Sequence, residues 1–559
     1  MESKKRILTG TNATAVVVLT LVGAILLNAI MSQYPVVVDL TEDKIYTLSD
    51  ASIDAVASLE EPVQVKVFIS PDMPPPFHTL SQQLSDLLAD YAAHSGGKLD
   101  YQIIQPSSED AAAEEAAAGY GIQKVAIGQQ SEDEVSLRAV YKGVAFVKGD
   151  QTEVIEDLQT TGNPEYDNFE YEFTKALMNL SDVEPRKVAF LAGFGGAAAG
   201  PQFVSSIQPV FEQLYGKLIE VSTVDLSAPG ATIPEDVDAL VILYVTEPVS
   251  EHAKFAIDQF VQRGGSVGWY QSATAPDEQI MRQLMQQMGP GAQMPDIRKI
   301  VDSGLVDLFS AYGLQYNADL VLDRKNALAL GYVMTQQGLA RVSHPATFLM
   351  SDIDQSLPFT RNVPAIAMPA PSSITIRPEV AENEALEVYE IAQTADVAVR
   401  RPTPPTSLNY QELVEPTPEE QPGPFVVAAA VQGDVASYYA DRPLPEGVTE
   451  DKLVKDAVPS RVLVVGSGEF FQPRPNLGFN EQLAGMGGQF LLSSIEWLVQ
   501  DNALTQIRGK NMPRLIGEVD RSMQRRIQFI NIALVPAMFI MIGYLVLLAR
   551  RRRKRTFEL

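Results

Sequence analysis

Cysteine is absent from all 559 residues. That single absence excludes disulfides, thiolate metal sites, thiol catalysis and a cysteine-linked lipid anchor. Histidine is almost as rare: His78, His94, His252 and His344 are scattered, without the spacing of metal ligands. Positive charge is also scarce, with 43 Lys and Arg against 70 Asp and Glu and a formal charge of −27. Both ends are nevertheless basic: Lys4, Lys5 and Arg6 against Glu2, and Arg550 to Arg555 against Glu558, sum to +7 and leave −34 for residues 7–549. A body so acidic cannot neutralise a phosphate backbone, so nucleic acid is excluded as a partner. Its charge serves solubility and repels anionic surfaces.

Hydrophobic residues make up 46% of the chain and charged ones 20%, which supports packed cores rather than disorder. The length suits about three domains at ~150 residues each. Two long runs lack charge altogether. Thr9 to Val38 contains "AVVVLTLVGAILLNAIM", longer than a signal-peptide core and without an A-x-A site, so an uncleaved anchor is expected. "IQFINIALVPAMFIMIGYLVLLA" lies between Arg526 and Arg550; Pro536 within it is tolerable in a membrane helix. The "RRRRKR" that follows is a positive-inside signal. The expectation is two transmembrane helices, both termini cytoplasmic and the main body on the other side.

Between these runs the pattern is α/β. In residues 62–182, "PVQVKVFIS" predicts a strand, "TLSQQLSDLLADYAAHSGG" a helix with Leu80, Leu84, Leu87, Leu88 and Tyr91 on one face, and "KLDYQIIQ" a strand. An alanine-rich helix, a strand "QKVAIGQ", a hairpin from "EVSLRAVYKGVAFVKG" to "QTEVIEDL" and a helix "YDNFEYEFTKALMNL" follow. The order β-α-β-α-β-β-α predicts a thioredoxin-like domain. The loop after its first strand, "PDMPPPFHT", lacks the Cys-x-x-Cys of redox chemistry, which points to docking instead. From about 186 to 510, short apolar strands such as "RKVAFLAG", "DALVILYVT" and "SRVLVVGSGEFF" alternate with helices. This predicts a parallel, doubly wound sheet, amidotransferase- or flavodoxin-like, with an insertion at about 275–455. Within the insertion, the proline-rich run 400–425 predicts an extended surface loop. The fold class expected is thus a thioredoxin-like domain (35–182) and a doubly wound α/β domain (183–512), flanked by an N-terminal helix within 1–34 and a C-terminal one within 513–559.

Catalytic groups are hard to find. "LAGFGGAAAG" (191–200) lacks the lysine and hydroxyl of G-x-x-x-x-G-K-[ST] and reads as a tight strand-to-helix turn. "VVGSGEFF" (464–471) does not match the serine of G-x-S-x-G. No histidine stands beside a serine and a carboxylate by any local signature, and no calcium-loop pattern is evident. Neither an enzymatic activity nor a metal or cofactor is expected.

Several stretches resemble the Gldg-like auxiliary subunits of ABC transporters, a family named after a gliding-motility component. "DLTEDKIYTLSDAS" is similar to the family's Asp-Leu-Thr…Tyr-Ser-Leu-Ser segment through Asp39, Leu40, Thr41, Tyr46, Leu48 and Ser49. "RGGSVGWY", "LVLD" ending at Asp323, "GPFVVAAAVQG", "RVLVVGSGEFF", "SIEWL" and "LTQIRGK" match in order. Gly193-Phe194-Gly195-Gly196 stands where many relatives carry Gly-His-Gly-Glu, so a function tied to that His and Glu does not transfer. The resemblance implies a non-enzymatic subunit beside a separate ABC ATPase and a polytopic permease. It also implies a bacterial inner membrane, with the body in the periplasm docking on the permease or an extracytoplasmic protein. The alternative is a membrane-anchored module for a periplasmic ligand such as a glycan. In either case Asp39–Ser49 suits a turn at the lipid surface, Ile45, Tyr46 and Leu48 packing inward and Ser49 capping "DASIDAVASL"; the same residues also suit a plain helix start.

Overall fold

The computed structural model describes residues 47–499 and Met541, apart from 72, 108–109, 131–134, 161–166, 182–183, 197–201, 289–295, 336–337, 351–352, 355–356, 358, 361–362, 364, 455–457 and 475–476. Helix α1 (Asp50–Ala57) starts at Ser49, whose Oγ accepts from the Ser52 amide at 3.2 Å. It leads into β1 (Val63–Ile69), a β-branched strand buried on the inward side. Helix α2 (Leu80–His94) buries Leu80, Leu84, Leu88 and Tyr91, the i, i+4 face expected of an amphipathic helix. It carries the chain to β2 (Leu99–Ile104), parallel to β1. Helix α3 (Ala111–Gly119) follows, then β3 (Val125–Gln130), β4 (Val135–Val140), β5 (Lys142–Lys148), β6 (Gln151–Ile155) and α4 (Phe169–Leu180).

The sheet runs β2-β1-β5-β6, with β5 antiparallel to both neighbours. "QKVAIGQ", expected within this sheet, instead pairs with β4 in a separate two-stranded ribbon. The expected long hairpin strand therefore divides at Tyr141. Burial explains the division: Leu137 on β4 is 76% exposed, whereas Val144, Ala145 and Phe146 are fully buried against β1. Gly143 permits that approach, because a Cβ there would stand 2.6 Å from Ile122 and 2.8 Å from the Glu156 carbonyl. Helix α4 closes the core, Phe173 meeting Phe146 edge-on at 5.3 Å.

The chain continues through β7 (Arg186–Ala192), α5 (Gln202–Tyr215), β8 (Ile219–Asp225), β9 (Ala239–Leu243), α6 (Glu251–Gln262) and β10 (Ser266–Tyr270). Next come β11 (Thr274–Pro276), α7 (Glu278–Met288), β12 (Arg298–Ile300), α8 (Val306–Ala311), β13 (Leu314–Tyr316), β14 (Ile374–Ile376) and β15 (Leu386–Gln393). The last elements are β16 (Val426–Gly433), β17 (Ser460–Val465) and α9 (Glu481–Leu498). Strands β8-β7-β9-β10-β17 lie side by side and parallel. Every residue of β9, β10 and β17 is buried, which is why they read as unbroken apolar runs. Helices cover both faces. Phe211 and Tyr215 of α5 share a core with Phe490 and Trp497 of α9. Ile257 and Phe260 of α6 share the other with Phe309 of α8, which stacks on Trp269 at 4.7 Å.

The sheet is mixed rather than wholly parallel. β16 runs antiparallel beside β17, and β14, β15 and β13 extend that edge. Much of the stretch read as an insertion thus completes the main sheet. The proline-rich run is only partly a surface loop: Leu408 and Leu413 are buried, and Arg401 bonds the carbonyls of Glu412 and Glu415 and the Glu420 carboxylate. Tyr171 of α4 packs with Phe211 and Tyr215, and the Lys217 amide donates to Asn179 Oδ1 at 3.2 Å, joining the two sheets' helices.

The flanking transmembrane helices, and with them the two-span inner-membrane location with a periplasmic body, need correction. No helix among the described residues is long and apolar enough to cross a membrane. Crossing takes about 20 consecutive apolar residues, whereas α9, the longest described helix, has 18 residues and carries Glu481 and Glu496. The run 9–38, and 527–549 apart from Met541, lie outside the described residues. The architecture described is mixed α/β, without a spanning helix.

Candidate functional site

In an open α/β sheet, ligands bind beyond the carboxyl ends of the strands, where the connections change direction. Here that point lies between β7 and β9. The turn after β7 is "GFGG": Gly193, Gly195 and Gly196 have φ of +92°, +66° and +82°. The Phe194 carbonyl accepts from the Thr246 and Glu247 amides at 3.1 and 3.0 Å, pinning the turn to the chain leaving β9. Gly196 approaches so closely that a Cβ would stand 1.7 Å from the Tyr244 carbonyl oxygen. The turn is tight over Gly193–Gly196; the rest of the loop, 197–201, lies outside the described residues.

Tyr244 itself has φ of +51°, a left-handed conformation that is a genuine outlier for a bulky residue. Such conformations persist only where the surroundings impose them. Its amide donates to the Tyr270 carbonyl at 2.8 Å and its hydroxyl to the Thr274 carbonyl at 2.8 Å. Burial and the charge of Glu469 push its phenol pKa well up, so the hydroxyl stays protonated.

Beside Tyr244 lies a cluster of buried charge. Arg298, on β12, donates from Nη1 to Glu469 Oε2 at 2.6 Å and to the Thr274 carbonyl at 3.2 Å, and from Nε to Asp296 Oδ1 at 3.1 Å. The side chains of Arg298 and Glu469 are both fully buried. Burial works against the Arg298 charge, but Glu469 and Asp296 outweigh it and hold the guanidinium protonated. Arg474 pairs with Glu469 from the outer side, its own side chain 29% exposed. The network ties β12 to the loop after β17, across 171 residues of sequence.

The hydroxyls and the imidazole near this end are committed to other groups. Ser272 Oγ accepts from the Gly468 amide at 2.9 Å, and Ser467 Oγ donates to the Pro369 carbonyl at 2.8 Å. His344 is fully buried, with Nε2 2.8 Å from the Leu408 carbonyl. No group of three metal-ligating side chains occurs among the described residues.

Burial lowers the His344 pKa below 6.5, against the opposing pull of the Leu408 bond and of Asp296. A folded-state pKa below the unfolded one stabilises the fold in full above about pH 6.5, and that stability is lost as the pH falls through the lowered value. Wild-type protein should therefore lose more stability between pH 7.5 and 5.5 than His344→Gln, measured as the shift of the urea midpoint. Equal shifts would remove His344 as the cause.

The sequence-derived residues do not converge. Asp39, Leu40, Thr41 and Tyr46 lie outside the described residues. Leu48 is buried in the core of the first sheet, and the Ser49 amide donates to Glu170 Oε1 at 2.7 Å, so this pair ties α1 to α4. Asp323 is fully buried; it accepts from the amides of Lys325 and Asn326 in its own turn at 3.0 and 3.1 Å and from that of Ala395, 72 residues away, at 3.2 Å. Gly193, Phe194, Gly195 and Gly196 alone reach the strands' carboxyl end. Sequence reading missed Tyr244, Arg298, Glu469 and Arg474. The acid closing the apolar run "RVLVVGSGEFF" was the one available signal.

Away from this cluster, a concavity of roughly 370 Å³ is lined by Lys254, Asp302, Asp307, Ser310, Gln315 and Arg442. Lys254 Nζ bonds Glu251 at 2.8 Å and Asp307 at 3.1 Å, so its charge is already matched.

Residues 185–494, more than half of the chain, match the family described as ABC-type uncharacterized transport system. The chain belongs to that family, the auxiliary components of ABC-type transport systems. Residues 42–147 match a domain of unknown function, DUF7088. An uncharacterized protein of Borreliella burgdorferi is 21% identical over 523 residues, covering 92% of this chain and 93% of that protein. Among solved structures, the mmIFT52 N-terminal domain aligns at TM-score 0.29 and 12% identity, over 56% of this chain and 97% of that one. A ThuA-like protein from Bacteroides uniformis aligns at TM-score 0.26 and 11% identity, over 57% and 93% respectively. Likenesses this distant carry no functional argument.

Proposed function

We propose that this protein is a non-catalytic, Gldg-like auxiliary subunit of an ABC-type transport system, working by docking on a separate ATPase and a separate permease subunit. Membership of the transport-system family supports the setting. The observation that carries the non-catalytic part is the state of the strands' carboxyl end. Ser272, Ser467, Tyr244 and His344 each spend a polar atom on a backbone group, and Arg298 and Glu469 neutralise each other. A nucleophile needs a base within hydrogen-bond reach, and none of these hydroxyls has one.

Two measurements test the reading. With no phosphate-cradling lysine in "LAGFGGAAAG", the pure chain should neither turn over ATP nor bind it tightly. Co-expressed with its Walker-motif ATPase and permease and solubilised in mild detergent, the protein should co-purify with both in fixed ratio. ATP turnover by the pure chain, or elution free of both subunits, would sink the proposal.

A further inference from the structure

The concavity beside α6 has roughly 370 Å³ of room, which is the scale of a small-molecule site. Regular elements build its wall: Lys254 comes from α6, Asp307 and Ser310 from α8, and Gln315 from β13. Burial works against the Lys254 charge, but its bonds to Glu251 and Asp307 outweigh it. Asp307 also accepts from the Tyr438 hydroxyl, and Ser310 Oγ donates to Gln315 Oε1 at 2.8 Å while accepting from Arg377 at 3.2 Å. Lys254, Asp307 and Ser310 are thereby committed to the wall itself.

Two other lining charges, Arg442 and Asp302, are exposed and have no ion-pair partner among the described residues. The Arg442 guanidinium lies 4.0 Å from the centre of the Tyr438 ring, and its Nη1 donates to the Tyr438 carbonyl at 3.2 Å. Those contacts hold the fork in place and leave Nε and Nη2 available. Asp302 Oδ1 accepts from the Gly304 amide at 3.0 Å, leaving Oδ2. Gln315, whose Oε1 is taken by Ser310, offers Nε2 as a further donor.

Opposite charges that line one small space without pairing match a ligand that carries both. An anion alone would be repelled by a chain of charge −27, and a cation alone would leave Arg442 unmatched. A zwitterion brings no net charge and meets both groups. We propose that this concavity binds a small α-amino acid, its carboxylate accepting from the Arg442 fork and Gln315 Nε2 and its ammonium donating to Asp302. Val306 is the one apolar side chain in the lining, which favours a small ligand side chain over a large apolar one. The site goes beyond the docking role and does not depend on it.

The test titrates the full chain with alanine and serine, followed by saturation-transfer NMR. Two comparison probes each keep one charge. Lactate has a hydroxyl in place of the ammonium, and alaninamide keeps the ammonium without the carboxylate. Alanine or serine should saturate the protein, and each comparison probe should bind at least tenfold more weakly than alanine. Arg442→Gln and Asp302→Asn, both at exposed positions, should each weaken amino-acid binding at least tenfold while keeping the wild-type unfolding temperature. No saturation by either amino acid up to about 50 mM would mean that water alone meets these charges, and would overturn the proposal. So would lactate or alaninamide binding as tightly as alanine, or an affinity unchanged in either folded variant.

Discussion

Glu469→Ala is expected to cost the main sheet about 3–5 kcal/mol of unfolding free energy, because removing one partner strands the other as a buried charge. Arg298 would keep its bond to Asp296 and to the Thr274 carbonyl, but not the 2.6 Å contact that offsets its desolvation. The loss should propagate, since the pair clamps β12 to the loop that follows β17. Replacing both partners with apolar residues of similar volume, Arg298→Met with Glu469→Leu, should be milder than Glu469→Ala alone. Urea unfolding followed by tryptophan fluorescence reads this sheet selectively, because the chain's two tryptophans, Trp269 on β10 and Trp497 on α9, are buried in the cores on its two faces. A Glu469→Ala cost under 1 kcal/mol would mean that Arg298 finds water or moves.

Gly196→Ala is the other change with a large expected effect. The new Cβ would lie 1.7 Å from the Tyr244 carbonyl oxygen, a backbone atom that cannot step aside without unseating the left-handed Tyr244. A left-handed backbone alone costs an alanine roughly 1–2 kcal/mol; the collision and the loss of the Phe194 carbonyl bonds should bring the total to about 3 kcal/mol or more. Gly230→Ala is the matched control. Gly230 has the same φ of +82° with nothing within 4 Å of the new methyl, so only the backbone term remains. If the two variants unfold at the same urea concentration, the turn is looser than the geometry implies.

What was legible in the sequence was local. The α2 face could be read because a 3.6-residue period places Leu80, Leu84 and Leu88 on one side whatever lies opposite. Ser49 could be read as a cap because its partner amide is three residues away. The strands β9, β10 and β17 could be read because burial on both faces demands continuous apolar residues. The Gly193–Gly196 turn announced itself because few residues besides glycine tolerate those angles.

Other features were set only by long-range pairing. The run from Val135 to Lys148 is uniformly strand-like, and its division at Tyr141 depends on which residues find β1 to pack against. β16 joined the main sheet rather than an inserted subdomain because its alanines and valines fit flat beside β17, a contact no local pattern encodes. The partners of Asp323 were not legible either: its carboxylate accepts from Lys325 and Asn326 in its own turn and from Ala395, 72 residues away. Arg298 and Glu469 are ordinary surface letters in sequence; only the fold removes both from water and leaves them 2.6 Å apart. Composition and periodicity determine what each segment can bury on its own, while a charge becomes a site only when tertiary structure takes away its solvent and selects its partner.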